Sequence, residues 1–180
     1  MTYHSVGSDG STADPIRIVQ LTDLHLGPIG PFHEGIADDV RTLRPDVIVI
    51  TGDALDAAAG IQRLETFLRM LPEVPHRLST LGNWEYWSEI DLGVLKRVYE
   101  EAGWNLLVNQ SALVTRGNRS GWVVGLDDLL GGSPDFAGAS RAIAPATAPV
   151  LVVSHCPAGA DDDAFRDRPD IDFVLSGHTH

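Results

Sequence analysis

Short apolar runs that each end in a metal-ligand residue type constrain this chain more than anything else in it. Val47-Ile-Val-Ile50 runs into Thr51-Gly52-Asp53, Val150-Leu-Val-Val153 runs into Ser154-His155, and Phe173-Val-Leu175 runs into Ser176-Gly-His-Thr-His180. Uninterrupted aliphatic runs of this length fit strands covered on both faces, as in βαβ architecture. Ile16 to Thr22 is a further strand, leading into Asp23-Leu24-His25, and His76 to Leu81 leads into Gly82-Asn83-Trp84-Glu85. Five strand exits therefore carry seven N or O donors: Asp23, His25, Asp53, Asn83, His155, His178 and His180.

Between the strands the period changes. His33 to Leu43 places Ile36, Val40 and Leu43 on one stripe. Ile61, Leu64, Phe67, Leu68 and Leu71 recur at helical spacing up to Pro72, and Val94, Leu95, Val98, Tyr99 and Ala102 do so up to Gly103. Such spacing marks amphipathic helices. The first hundred residues thus read βαβαβα. Asn105–Val108, Ala112–Arg116 and Gly121–Gly125 then read as short strands of a meander in a second sheet. Asp127 to Gly132 reads as a loop, Pro134 to Ile143 as helical, Ala144 to Pro149 as a linker and Asp161 to Asp170 as a charged surface segment. The fold class expected is α/β. A disordered tail over 1–15 precedes one domain over 16–180.

Composition excludes several functions. The formal net charge of -12 offers no electrostatic footprint for a nucleic-acid polymer or an anionic membrane surface. Cys156 is the sole cysteine, so the fold stands without an internal disulfide, as is usual in the cytosol. The N-terminal stretch has neither the basic nor the apolar region of a signal peptide, and no run approaches the ~18 apolar residues of a membrane span. A cytoplasmic location is the expectation.

In open α/β sheets ligands bind outside the carboxyl ends of the strands. Seven donors gathered there are too many for one small cation; they suit two transition-metal ions ~3.5–4 Å apart, bridged by a carboxylate. Mixed imidazole and carboxylate donors favour Mn, Fe, Co, Ni or Zn over Ca and Mg. Each residue also has a plainer reading. Asp23 and Asp53 are possible caps or turn formers, Asn83 a turn residue, and His155 a hydrogen-bonded core histidine. The plainer readings do not explain why every candidate falls at the same end of a strand.

Asp23-Leu-His25, Gly52-Asp53, Gly82-Asn83, Ser154-His155 and Gly177-His-Thr-His180 resemble, in order, the five blocks of the calcineurin-like metallophosphoesterase superfamily. Thr51-Gly-Asp-Ala-Leu-Asp56, Leu81-Gly-Asn-Trp-Glu-Tyr-Trp87 and Gly125-Leu-Asp-Asp128 are similar to a bacterial phosphodiesterase branch. The resemblance implies a two-sheet mixed β-sandwich flanked by helices. It implies one metal on Asp23, His25 and His180, and a second on Asn83, His155 and His178, with Asp53 bridging. Mn, Fe and Zn are the expected ions. The implied activity is hydrolysis of a phosphodiester or pyrophosphate bond by a metal-bridging hydroxide. The implied substrate is small and phosphorylated, such as a nucleotide or a lipid-linked pyrophosphate.

Two features depart from the family pattern. Trp84 stands where the family has the histidine thought to protonate the leaving group, and an indole cannot supply that proton. His33 is a possible substitute, or simply a loop or N-cap histidine. The chain also stops at His180, where family members continue, so a fragment lacking its last strands is expected. Trp84 and the ending leave room for an alternative, a metal- or nucleotide-binding pseudoenzyme. Trp84, Tyr86 and Trp87 are candidates to line a substrate groove, with at least one of them expected in the core.

Overall fold

The structure is a computed structural model and describes residues 15–143, 148–161 and 171–179. Of the expected N-terminal tail only Pro15 falls in that range. Most of the linker after Ile143, the charged segment beyond Asp161, and His180 lie outside the described residues.

Two four-stranded sheets stack face to face. The first holds β1 (Ile18–Leu21), β2 (Val47–Thr51), β3 (His76–Thr80) and β4 (Asn105–Leu106), in that order and parallel throughout. Helices α1 (Pro31–Leu43), α2 (Ile61–Met70) and α4 (Leu92–Glu101) make the crossovers, and α3 (Asn83–Trp87) is a short helix between β3 and α4. The second sheet is mixed. An antiparallel hairpin of β5 (Gln110–Arg116) and β6 (Arg119–Gly125) is followed by β7 (Val150–Val153) and β8 (Ile171–Leu175), both added in parallel. Helix α5 (Phe136–Ala139) flanks it with a single turn.

Alternation along the strands builds the layers. On β2, Ile48 and Ile50 pack under Val40, Leu64, Phe67, Leu68 and Leu95 of the helices, while Val47 and Val49 meet Val114, Val123 and Val153 of the other sheet. Every residue of β2 is buried, which is why the strand has no polar face. The outer face of the second sheet buries Val124, Val150 and Val152 against Phe136 and Ala139.

Two expectations need correction. Asn105–Leu106 does not open a meander in the second sheet; it pairs in parallel with β3, and the Leu107 amide donates to the Ser79 carbonyl at 2.7 Å. A helix after a parallel strand returns the chain to the same sheet, and α4 does so here. The stretch after Gly82, for which no helix is expected from the sequence, is the helix α3, whose first turn is capped by Glu85. The strand pattern that predicted the architecture otherwise holds, with the second sheet beginning at β5.

Candidate metal centre

All the described donors lie where the carboxyl ends of both sheets meet. The loop after β1 runs beside the loop after β2 and continues the parallel pairing beyond the strands. The Asp23 amide donates to Gly52, His25 to Asp53 and Leu26 to Ala54, at 3.0–3.3 Å. On the other sheet the Gly177 amide donates to the His155 carbonyl at 3.0 Å. Gln20 ties the sheets together, its side-chain amide donating to Thr51 Oγ1 and to the Ser176 carbonyl, each at 2.9 Å. The His178 amide then donates to both Asp23 carboxylate oxygens at 3.0 Å.

The backbone turns abruptly to aim these side chains. Asp23, His25, Asp53 and His178 all have positive φ, at 51, 40, 51 and 70°. For residues with a Cβ this conformation costs of order 1–2 kcal/mol each. Such outliers collect at functional sites, where the surrounding fold holds them. Two neighbouring glycines show how tightly. A Cβ on Gly82 would lie 2.3 Å from Asp53 Oδ1, and one on Gly177 would lie 2.0 Å from Thr22 Oγ1. Only glycine lets these loops approach the carboxylates.

Within the site, Asp23, His25 and Asp53 form one group of ligand atoms within 4.8 Å of one another, and Asp53, His155 and His178 form another. Asp53 belongs to both. His155 Nδ1 lies 2.7 Å from the Thr51 carbonyl and donates to it, which turns Nε2 toward Asp53 Oδ2 at 3.0 Å and Asn83 Oδ1 at 3.2 Å. Asp53, Asn83 and His155 are all buried. Burial pushes the Asp53 carboxyl up, but hydrogen bonds from His155 and the Trp84 amide, with the nearby imidazole charges, bring it below its usual range. Burial likewise opposes charge on His155. The Asp53 hydrogen bond, the Thr51 carbonyl and the charges of Asp53 and Asp23 outweigh it and push the imidazole up to about 9. Three potential donors converging on one point need a proton or a cation between them. The donor set therefore fits a metal ion, which on binding would release that proton.

Of the seven expected donors, six are described and all six meet here; His180 lies outside the described residues. His33 does not join them. Its Nδ1 accepts the Gly30 amide at 3.3 Å, capping α1, and its ring packs edge-on against Phe67. Trp84 is exposed beside the site, with its ring 6.0 Å from that of His25, and Trp87 lies 6.0 Å beyond. Tyr86 is half-buried, and its hydroxyl donates to Asp127.

Two residues carry more than the sequence pattern indicates. Glu85 is buried, and its carboxylate accepts the amides of Gly82, Asp53, Ala54 and Leu55 at 2.7–3.3 Å. One side chain thus ties the loop after β3 to the loop after β2. Burial and the charge of Asp53 raise its pKa, and the amides work against that rise. Glu three residues after a strand-ending Gly is the spacing of a capping box, a signal visible in the sequence. Asp56 is the second: it pairs with His25 Nδ1, leaving Nε2 to face Asp53. A carboxylate behind a metal-ligating imidazole fixes its tautomer and typically contributes 10- to 100-fold in affinity. Asp56→Asn is therefore expected to weaken Mn²⁺ binding, measured by titration calorimetry, by about tenfold or more. Unchanged affinity would remove Asp56 from the centre.

A strand-exit site with these donors, on two stacked sheets, defines a metal-dependent phosphoesterase fold, and the calcineurin-like phosphoesterase family model matches residues 16–180. The chain belongs to that family. It is 33% identical to the zebrafish (Danio rerio) transmembrane protein with metallophosphoesterase domain, over 92% of this chain and 40% of that protein. Identity is 29% to metallophosphoesterase YkoQ of Bacillus subtilis, over 92% of this chain and 61% of that one. It is 28% to phosphodiesterase YaeI of Escherichia coli, over 98% and 65%. The chain thus spans between 40% and 65% of the length of these relatives. Among its described residues no helix is long and apolar enough to cross a membrane.

Proposed function

We propose that the chain hydrolyses a phosphodiester or pyrophosphate bond in a small substrate, using two transition-metal ions with Mn, Fe or Zn the best matched. The observation that carries this reading is the sharing of Asp53 by two three-donor groups. Asp23 and His25 would complete one position, with His180 as a further donor, and Asn83, His155 and His178 the other. When bound, such a pair supplies an activated water nucleophile and neutralises charge growing on the phosphoryl oxygens. The protein's own part is positional. Glu85 holds the Asp53 and Asn83 loops together, and the Thr51 carbonyl sets the His155 tautomer. Asp56 does the same for His25.

Trp84 shapes the choice of bond. Its indole donates one hydrogen bond and delivers no proton, so the favoured leaving groups are those that depart unprotonated, such as a phosphate or a nucleotide. The name of the E. coli relative, a phosphodiesterase, supports the ester class. Trp84→His is expected to raise turnover of poor leaving groups by up to ~10²-fold, the lower end of what a positioned acid contributes. It should change good leaving groups little. Equal effects on alkyl and p-nitrophenyl esters would reject this account of Trp84.

The direct test is hydrolysis of bis-p-nitrophenyl phosphate by the Mn²⁺-loaded chain, compared with the chelated protein. That leaving group needs no acid, so Trp84 does not mask turnover. Metal-dependent release of p-nitrophenol is the expected result. Folded, metal-loaded protein without turnover would replace this reading with a binding-only one.

A further inference from the structure

Large aromatic side chains in the open at the mouth of a site call for a reason. Trp84 is 38% exposed and Trp87 56%. They sit three residues apart on α3, on one side of the helix. Their rings are 6.0 Å apart and inclined at 64°, forming an open corner, and the Trp84 ring meets His25 edge-on. The helix that carries the corner is anchored to the site. The Trp84 amide donates to Asp53 Oδ1 at 2.9 Å, Glu85 anchors the first turn, and the Ser88 hydroxyl donates to the Asp56 carbonyl. Asp56, Glu89 and Asp91 are exposed on the adjoining chain, so the surroundings disfavour a second anionic group. An acyl chain gains most from an enclosed trough, whereas half-exposed indoles offer open π faces to a flat, uncharged ring.

We propose that Trp84 and Trp87 form a stacking platform for a planar aromatic group of the substrate, a nucleobase or an aryl ring, while its phosphate enters the metal centre. The inference rests on the phosphohydrolase reading for the orientation of the substrate. Its test reads binding and not turnover, so the two can fail separately.

The full, Mn²⁺-loaded chain is titrated by calorimetry with AMP, with ribose 5-phosphate and with dodecyl phosphate. AMP is expected to bind about tenfold more tightly than ribose 5-phosphate, the scale of one base–aromatic stack. Trp87→Phe should keep most of that preference, and both Trp87→Leu and Trp87→Ala should abolish it. Equal affinity for AMP and ribose 5-phosphate would overturn the proposal. So would retention of the AMP preference in Trp87→Leu, or dodecyl phosphate binding more tightly than AMP. An AMP preference without diester turnover would leave the platform standing and reject the hydrolase reading.

Discussion

Replacing Glu85 with Ala is expected to cost about 3–5 kcal/mol of folding stability and to empty the metal centre. The carboxylate accepts four backbone amides from two loops, at 2.7–3.3 Å, in a buried position. Truncation leaves those donors without an acceptor, and each buried unsatisfied group costs about 1–3 kcal/mol. Partial hydration of the gap returns some of that. Losing the amide clamp also releases Asp53, whose positive φ depends on its surroundings. Glu85→Gln retains one acceptor oxygen but turns an NH₂ toward amide donors, so it should fall between the two. Urea denaturation with metal analysis of the folded fraction checks both effects. A Glu85→Ala protein of native stability would mean that water replaces the carboxylate fully.

Asp53→Asn is expected to abolish bis-p-nitrophenyl phosphate hydrolysis, by about 10³-fold or more, with little loss of fold. Asn is nearly the same shape and keeps an oxygen for the Trp84 amide, which lies 2.9 Å from Asp53 Oδ1. What it loses is the negative charge common to both donor groups. A neutral bridge between two cations leaves their repulsion unopposed at short range, and the expected metal content falls from two ions to one or fewer. Plasma emission spectroscopy gives that count alongside the rate. Two retained ions with full turnover would show that Asp53 does not bridge.

The positions of the donors are legible because strands announce themselves by apolar runs, and the residues just after a run lie at a sheet's carboxyl edge. Asp53 after Val47–Ile50 and His155 after Val150–Val153 stand out in that way. The path of the chain between sheets does not. Asn105–Leu106 is too short and too polar for its pattern to say which sheet it joins; that choice is made by the crossover through α4 and by the Leu107–Ser79 hydrogen bond. The long-range partners of Glu85 and Asp56 are hidden for a different reason, although the capping-box spacing of Glu85 is visible. Each acts on a loop about thirty residues away, or on one backbone amide after another, and a linear reading assigns partners only to near neighbours. His33 shows the converse. Its capping of α1 is a local interaction, and the glycine-proline loop before it already points to a helix start.

The contact between Asp23 and the His178 amide joins residues 155 apart in sequence, at the carboxyl-end rim of two sheets whose facing sides share one hydrophobic layer. A cation seated among these loops would work as a clasp. It would hold the loops after β1 and β8 together, so occupancy and global stability would rise together, by mass action. Chelation would then do more than silence the chemistry: it would loosen the seam between the sheets, and a chain split between β4 and β5 would reassemble most readily with metal present.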